Sequence, residues 1–176
     1  GLRDVIGSLP KRILKNAKGE FEVSVILPLY AKLNQAYKNK LIYIGQTTTK
    51  LSWRNQYCGI FKYEENGVKY YFIDNEYYFK RDNFYGYFDD AERFAFFSKA
   101  AIDVMIFIDE IPDIIHVHDW QAGMLPIYLR TLYYHDTRFA KVKTVFTIHN
   151  IEYQGIYAYD QDIIEDVFGL SFNDGY

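Results

Sequence analysis

The hydrophobic pattern changes period along the chain, and the second half is the more regular. Phe94, Phe97, Ala101, Val104 and Ile108 recur at close to helical spacing and predict a helix over 89–109, with Asp89 or Asp90 as its cap. "DIIHVH" (113–118) then reads as a strand, "AGMLPIYLRTLYYH" (122–135) as a helix and "KVKTVFTIHN" (141–150) as a second strand. "DQDIIEDVFG" (160–169) reads as a short helix closed by Gly169. Helix, strand, helix, strand, helix is the order of a parallel sheet wound with right-handed crossovers.

The first half is less uniform. Leu2, Val5, Ile6, Leu9, Ile13 and Leu14 form a helical stripe, within which Pro10 predicts either a kink or a late start capped by Ser8. "FEVSVILPLY" (21–30) is a strand ended by Pro28. Residues 41–74 alternate in the manner of strands around Asn66-Gly67, a strong hairpin signal, and predict an antiparallel excursion. "NEYYFKRDNFYGYFDD" (75–90) has no periodicity and reads as a polar, aromatic loop. The expected fold is α/β: a Rossmann-like, doubly wound, mostly parallel sheet with a β-hairpin excursion.

Composition narrows the function classes. The 176 residues suffice for one domain or for one lobe of a larger protein, and both ends read as cut. A net charge of −3 without a basic stripe argues against nucleic acid as a partner. No apolar run reaches the roughly 18 residues of a membrane span. A single cysteine, Cys58, fits a reducing, cytoplasmic setting. The 18 tyrosines offer apolar rings with polar tips, suited to sugar faces and equally to an aromatic-rich core.

Ligands of open α/β sheets bind beyond the carboxyl ends of the strands. Three of the four histidines lie at such ends: His116 and His118, followed by Asp119 and Trp120, and then His149 followed by Asn150. Polar groups there cost free energy unless something pairs with them. Each also has a purely structural reading. His116 and His118 could be satisfied within the fold, Asp119 could cap a helix starting at Gln121, Trp120 could be packing, and His149-Asn150 could be a turn. A His-x-His with a carboxylate also matches metal-hydrolase ligands on paper, but neither zincin spacing nor a cysteine cluster accompanies it. Neither a G-x-G-x-x-G nor a P-loop is present.

"GLRDVIGSLPKRI", "VILPLY", "YGYFDDAERFAFFSKA", "IIHVHDWQAGMLPIYLR" and "TVFTIHNIEYQGIY" together resemble the bacterial glycogen synthase and plant starch synthase family, in that family's order. The resemblance implies the N-terminal half of a GT-B fold. Residues 1–176 would be a partial N-terminal, acceptor-side domain lacking the first strand, with its lysine loop, and the whole C-terminal domain. The implied reaction of the parent protein is transfer of glucose from ADP-glucose to the non-reducing end of an α-1,4-glucan such as glycogen, with retention and without metal or other cofactor. The implied catalytic residues are His149, against the transferred glucose, and Asp119, contacting the acceptor sugar or orienting its hydroxyl. Asp4 is implied at the nucleotide-sugar loop, Tyr85 in the substrate cleft, and Trp120, Gln121, His118 and Asn150 as substrate-side neighbours. The isolated fragment is expected to be inactive. A non-catalytic glucan-binding module and, more remotely, a His/Asp metal hydrolase are the alternatives.

Overall fold

A computed structural model describes residues 2–16, 19–156 and 161–171, the first five of them by backbone alone. The described residues group into two compact units. One comprises Gly1–Gln46 with Cys58–Phe84, the other Thr47–Tyr57 with Tyr85–Tyr176.

In the first unit, helix α1 (Leu2–Asn16) precedes strand β1 (Ser24–Pro28) and helix α2 (Ala31–Tyr37). Pro10 lies inside α1 and is buried, so neither a late start nor a Ser8 cap occurs. A missing backbone donor costs a helix about 3 kcal/mol, and α1 nonetheless runs through Pro10 to Asn16. Strands β2 (Ile42–Leu51), β3 (Arg54–Glu65) and β4 (Val68–Asp74) complete a four-stranded sheet in the order β1-β4-β3-β2. β1 runs parallel to β4, with Leu27 beside Phe72, whereas β3 and β4 are antiparallel. Asn66 and Gly67, at φ of 52° and 77°, make the tight turn between them. Both central residues of this turn type need positive φ, which Asn and Gly tolerate best. A short helix, α3 (Glu76–Phe79), interrupts the segment expected to be irregular, and the Asn75 side chain caps it by accepting from the Tyr78 backbone N–H at 3.1 Å.

The second unit is organised on helix α4 (Asp90–Phe107), which is buried at 12 of its 18 positions and so has no continuous polar face. Neither acidic residue at its start caps it by side chain: Asp90 instead accepts from the Gly86 backbone N–H at 2.6 Å and pairs with Arg93 at 2.7 Å. Strand β5 (Ile114–His118) pairs in parallel with β6 (Lys143–Thr147), with His118 beside Thr147. Helix α5 (Met124–Arg130) is half the expected length, because a 3-10 turn (Trp120–Ala122) precedes it and the chain leaves the helix in turns after Arg130. The tip of the β2–β3 hairpin also belongs to this unit. Thr49 Oγ1 and Tyr133 Oη donate to the two oxygens of Asp103 at 2.8 and 2.6 Å, and Ser52 Oγ donates to the carbonyl of Glu165 at 3.0 Å. Glu165 lies in a π-helical turn (Ile163–Val167), the counterpart of the predicted short helix.

Candidate functional site

The site forms where β5 and β6 end side by side. Parallel pairing sets the register, so the two polar clusters predicted at separate strand ends face each other across it. His118 Nδ1 and His149 Nε2 lie 2.9 Å apart, and His116 Nε2 lies 2.7 Å from Thr147 Oγ1. The rings stack: His116 on His118 with centroids 4.1 Å apart, His118 near His149 at 5.2 Å and almost coplanar in tilt at 14°. Burial, and then the neighbouring His116 and His149, push the His118 pKa down to about 4, against an opposing pull from Asp119. His116 is lowered as well, by burial first and by His149. His118 is therefore neutral at pH 7.

Asp119 does not cap the following helix by its side chain. Its Oδ1 accepts from the backbone N–H of His149 at 2.7 Å, while its own N–H donates to the carbonyl of Thr147 at 2.9 Å. It is only 8% exposed and sits at φ 59°, ψ 179°. That region is nearly exclusive to glycine and costs a side-chain-bearing residue about 1–3 kcal/mol. Such strain persists only where surrounding bonds over-determine it, as these two do. Asn150 Oδ1 accepts from the Glu152 backbone N–H at 3.0 Å, which fixes the turn leaving β6.

Trp120 is held on three sides. Phe94 meets it edge-on at 4.9 Å and Tyr85 at 6.1 Å, and Tyr85 also contacts Tyr153 at 5.9 Å. The third neighbour is Gly155, at φ +60°, where a Cβ would stand 2.5 Å from Trp120 Cε3. Sequence reasoning did not single out Gly155, although it closes the "YQG" of the quoted block; its need for glycine arises from a contact 35 positions away. A cavity of about 400 Å³ lies beside the indole, bounded by Asp90, Phe94, Phe146, Gln154 and Ile164 among others. The Gln121 carbonyl accepts weakly from Ser98 Oγ at 3.5 Å, and its buried Oε1 has no partner among the described residues.

Of the residues singled out, His116, His118, Asp119, Trp120, His149 and Asn150 converge at the paired strand ends, and Tyr85 joins through Trp120. The side chain of Asp4 lies outside the described residues. Among the described residues, no three His, Cys, Asp or Glu side chains gather to hold an ion.

The family model described as the starch synthase catalytic domain matches residues 1–174. The chain belongs to the starch synthase catalytic-domain family. It is 47% identical over 174 residues to the glycogen synthase of Exiguobacterium sibiricum, covering 97% of this chain and 35% of that protein. The glycogen synthase of Halalkalibacterium halodurans is 50% identical over 167 residues, covering 95% of this chain and 33% of its own length. The catalytic domain of Starch Synthase IV from Arabidopsis thaliana, solved bound to ADP and acarbose, superposes with a TM-score of 0.80 at 28% identity, over 98% of this chain and 34% of that one. The chain thus spans about a third of the length of these relatives. Its fold is the Rossmann-like α/β part of a GT-B protein, with the parallel pairing at β1–β4 and β5–β6 and the antiparallel excursion in between.

Proposed function

We propose that this chain is the N-terminal, acceptor-side domain of a retaining glucosyltransferase that moves glucose from ADP-glucose to the non-reducing end of an α-1,4-glucan in the cytoplasm. The observation that carries this reading is the convergence of His118, Asp119, Trp120, His149 and Asn150 at the carboxyl ends of two parallel strands, in a chain of the starch synthase family. The Arabidopsis relative, solved with ADP and acarbose, supports a nucleotide sugar and a glucan as ligands.

In this reading the bond from the anomeric carbon to the diphosphate breaks, and a bond to the acceptor's terminal hydroxyl oxygen forms. The hydroxyl proton leaves with the diphosphate. Positive charge builds on the sugar ring as the diphosphate departs. Fixed dipoles aimed at such charge are commonly worth about 3–4 kcal/mol each. The His149 carbonyl is one such dipole, and its position is set from the other side of the residue by Asp119, which grips the His149 N–H. Asp119 therefore acts first by holding the turn. Its second oxygen, Oδ2, is the one proposed to orient the acceptor hydroxyl. Trp120, braced by Phe94 and Gly155, forms a rigid wall beside the acceptor, with Tyr85 and Gln121 as neighbours, and Asp4 stands at the nucleotide-sugar loop. The C-terminal domain of the same protein supplies most of the nucleotide site, so the chain alone is inactive.

Radiolabelled ADP-glucose and glycogen, incubated with the full parent protein, test this. Label should enter glycogen as α-1,4-linked glucose, and the chain alone should incorporate none. A parent protein that transferred no glucose to glycogen would overturn the reading.

A further inference from the structure

The three-histidine stack has an ordered interior. His118 is its middle ring, with His116 at 4.1 Å on one side and His149 at 5.2 Å on the other. Only one of these contacts is a hydrogen bond, that between His118 Nδ1 and His149 Nε2 at 2.9 Å. A neutral imidazole has one donor and one acceptor nitrogen. The bond therefore consumes His149 Nε2 and leaves Nδ1 as the ring atom that can meet a ligand. A hydrogen-bond partner on one ring nitrogen is the usual means of setting a histidine's tautomer and ring orientation.

We propose that His118 is a positioning residue: its Nδ1 holds His149 Nε2, so that His149 presents Nδ1 to a hydroxyl of the transferred hexose. This rests on the glucosyltransferase reading and refines it, because His118 then acts through His149 rather than on the sugar. Three features support it. His116, itself tied to Thr147 Oγ1, backs the His118 ring and limits its rotation. The burial and neighbouring histidines that keep His118 neutral leave it one proton to share, not two to give away. Asp119, the next residue, fixes the His149 backbone at 2.7 Å, so consecutive residues of one strand end hold both the main chain and the ring of His149.

Substitutions at His118 in the full parent synthase separate this role from a direct one. Asparagine places a polar atom near the position of Nδ1, and glutamine near that of Nε2. His118→Asn should keep kcat within about threefold of the parent, while His118→Gln and His118→Ala lose about 10- to 100-fold, by analogy with removal of the partner that orients a metal-bound histidine. KM for donor and acceptor should change little. Nitrogen-15 NMR of histidine-labelled synthase supplies a readout apart from activity. His149 should show one tautomer in the parent and in His118→Asn, and a mixture in His118→Ala. Rescue by glutamine rather than asparagine, an equal loss in all three variants in step with their melting temperatures, or an unchanged His149 tautomer in His118→Ala would each overturn the proposal. A parent without glucosyl transfer would instead defeat the underlying reading, and the NMR measurement would still decide whether His118 sets His149.

Discussion

The carboxylate of Asp119 grips the backbone N–H of His149 at 2.7 Å, across the ends of two parallel strands. The residue that makes this bond is held in a backbone conformation close to glycine's own, at φ 59°. Hydrogen bonds to a charged group are worth about 1.5–3 kcal/mol. Asp119→Ala should thus lower stability by about 2 kcal/mol, and Asp119→Asn, which retains an acceptor oxygen, by less. Denaturant melts of the parent protein measure the difference. Equal losses in both variants would show that the retained acceptor oxygen contributes nothing without the charge.

His149→Ala in the parent synthase should reduce kcat about a hundredfold, the equivalent of about 3 kcal/mol, while leaving the melting temperature nearly intact. The residue is exposed at the strand end, so truncation leaves no core cavity. His135→Ala is the control, because His135 is exposed in the turns after α5 and contacts only the neighbouring Tyr134 among the aromatic rings described. Normal turnover in His149→Ala, or loss only through unfolding, would remove His149 from the site.

Acid should loosen the strand-end cluster before it touches most carboxylates. His118 has a folded pKa near 4 against an ordinary value of 6.5. Between those values the unfolded chain binds the extra proton and the folded chain does not. Stability therefore falls as pH drops from about 6.5 towards 4, at no more than about 1.4 kcal/mol per pH unit for one proton. Melting temperatures of the parent and of His118→Asn over that range should differ in slope, with the variant flatter. Parallel slopes would mean that His118 titrates normally.

Gly155→Ala should be costly for a residue that is not in a strand or helix. The added carbon would stand 2.5 Å from the Trp120 ring, at a φ that side chains avoid. Overpacking of this kind costs about 1–3 kcal/mol. Displacement of the indole should appear as a shift in tryptophan emission, separable from Trp53, which is 71% exposed at the hairpin tip. An unshifted spectrum and an unchanged melt would show that the ring yields freely.

Asp103 predicts the opposite pH trend from His118. Burial raises its pKa, in spite of the hydrogen bonds from Tyr133 and Thr49 and the nearby Lys99. An acid raised on folding favours the fold at low pH, and that contribution is lost as pH rises through its folded pKa. Asp103→Asn should flatten this dependence. It should still destabilise by about 1–3 kcal/mol, because one amide oxygen replaces two acceptors and a buried hydroxyl loses its partner. Chemical melts at several pH values test both signs together.

What could be read from the sequence was local or periodic. The strand ending in "HVH", the core of the next strand, which stops at Thr147 rather than running on to Asn150, the Asn66-Gly67 turn and the positive φ of Gly169 follow from spacing and from residues that tolerate positive φ. The polar strand ends were visible for the same reason. The carboxylate of Asp119 was not assignable, since a cap and a cross-strand clamp use the same residue at the same place, and only the neighbouring strand decides. The length of α5 was overestimated because Tyr133 and Tyr134 continue its apolar pattern after the backbone has left the helix, and Tyr133 is drawn instead to Asp103. Pro10 misled in the other direction, since α1 starts at Leu2 and continues through it.

The bond from Ser52 Oγ to the Glu165 carbonyl joins residues 113 positions apart. A ribosome adding roughly 5–20 residues per second needs roughly 6–23 s to cross that interval. For that time the hairpin tip, with Trp53 at its apex, exists without the turn it will bind. Closing so long a loop is entropically slow, and chains that depend on it spend longer with apolar surface uncovered. The bond that fastens the hairpin tip can therefore form only after the Ile163–Val167 turn has emerged, which leaves the tip open to chaperones, or to misassociation, for that interval.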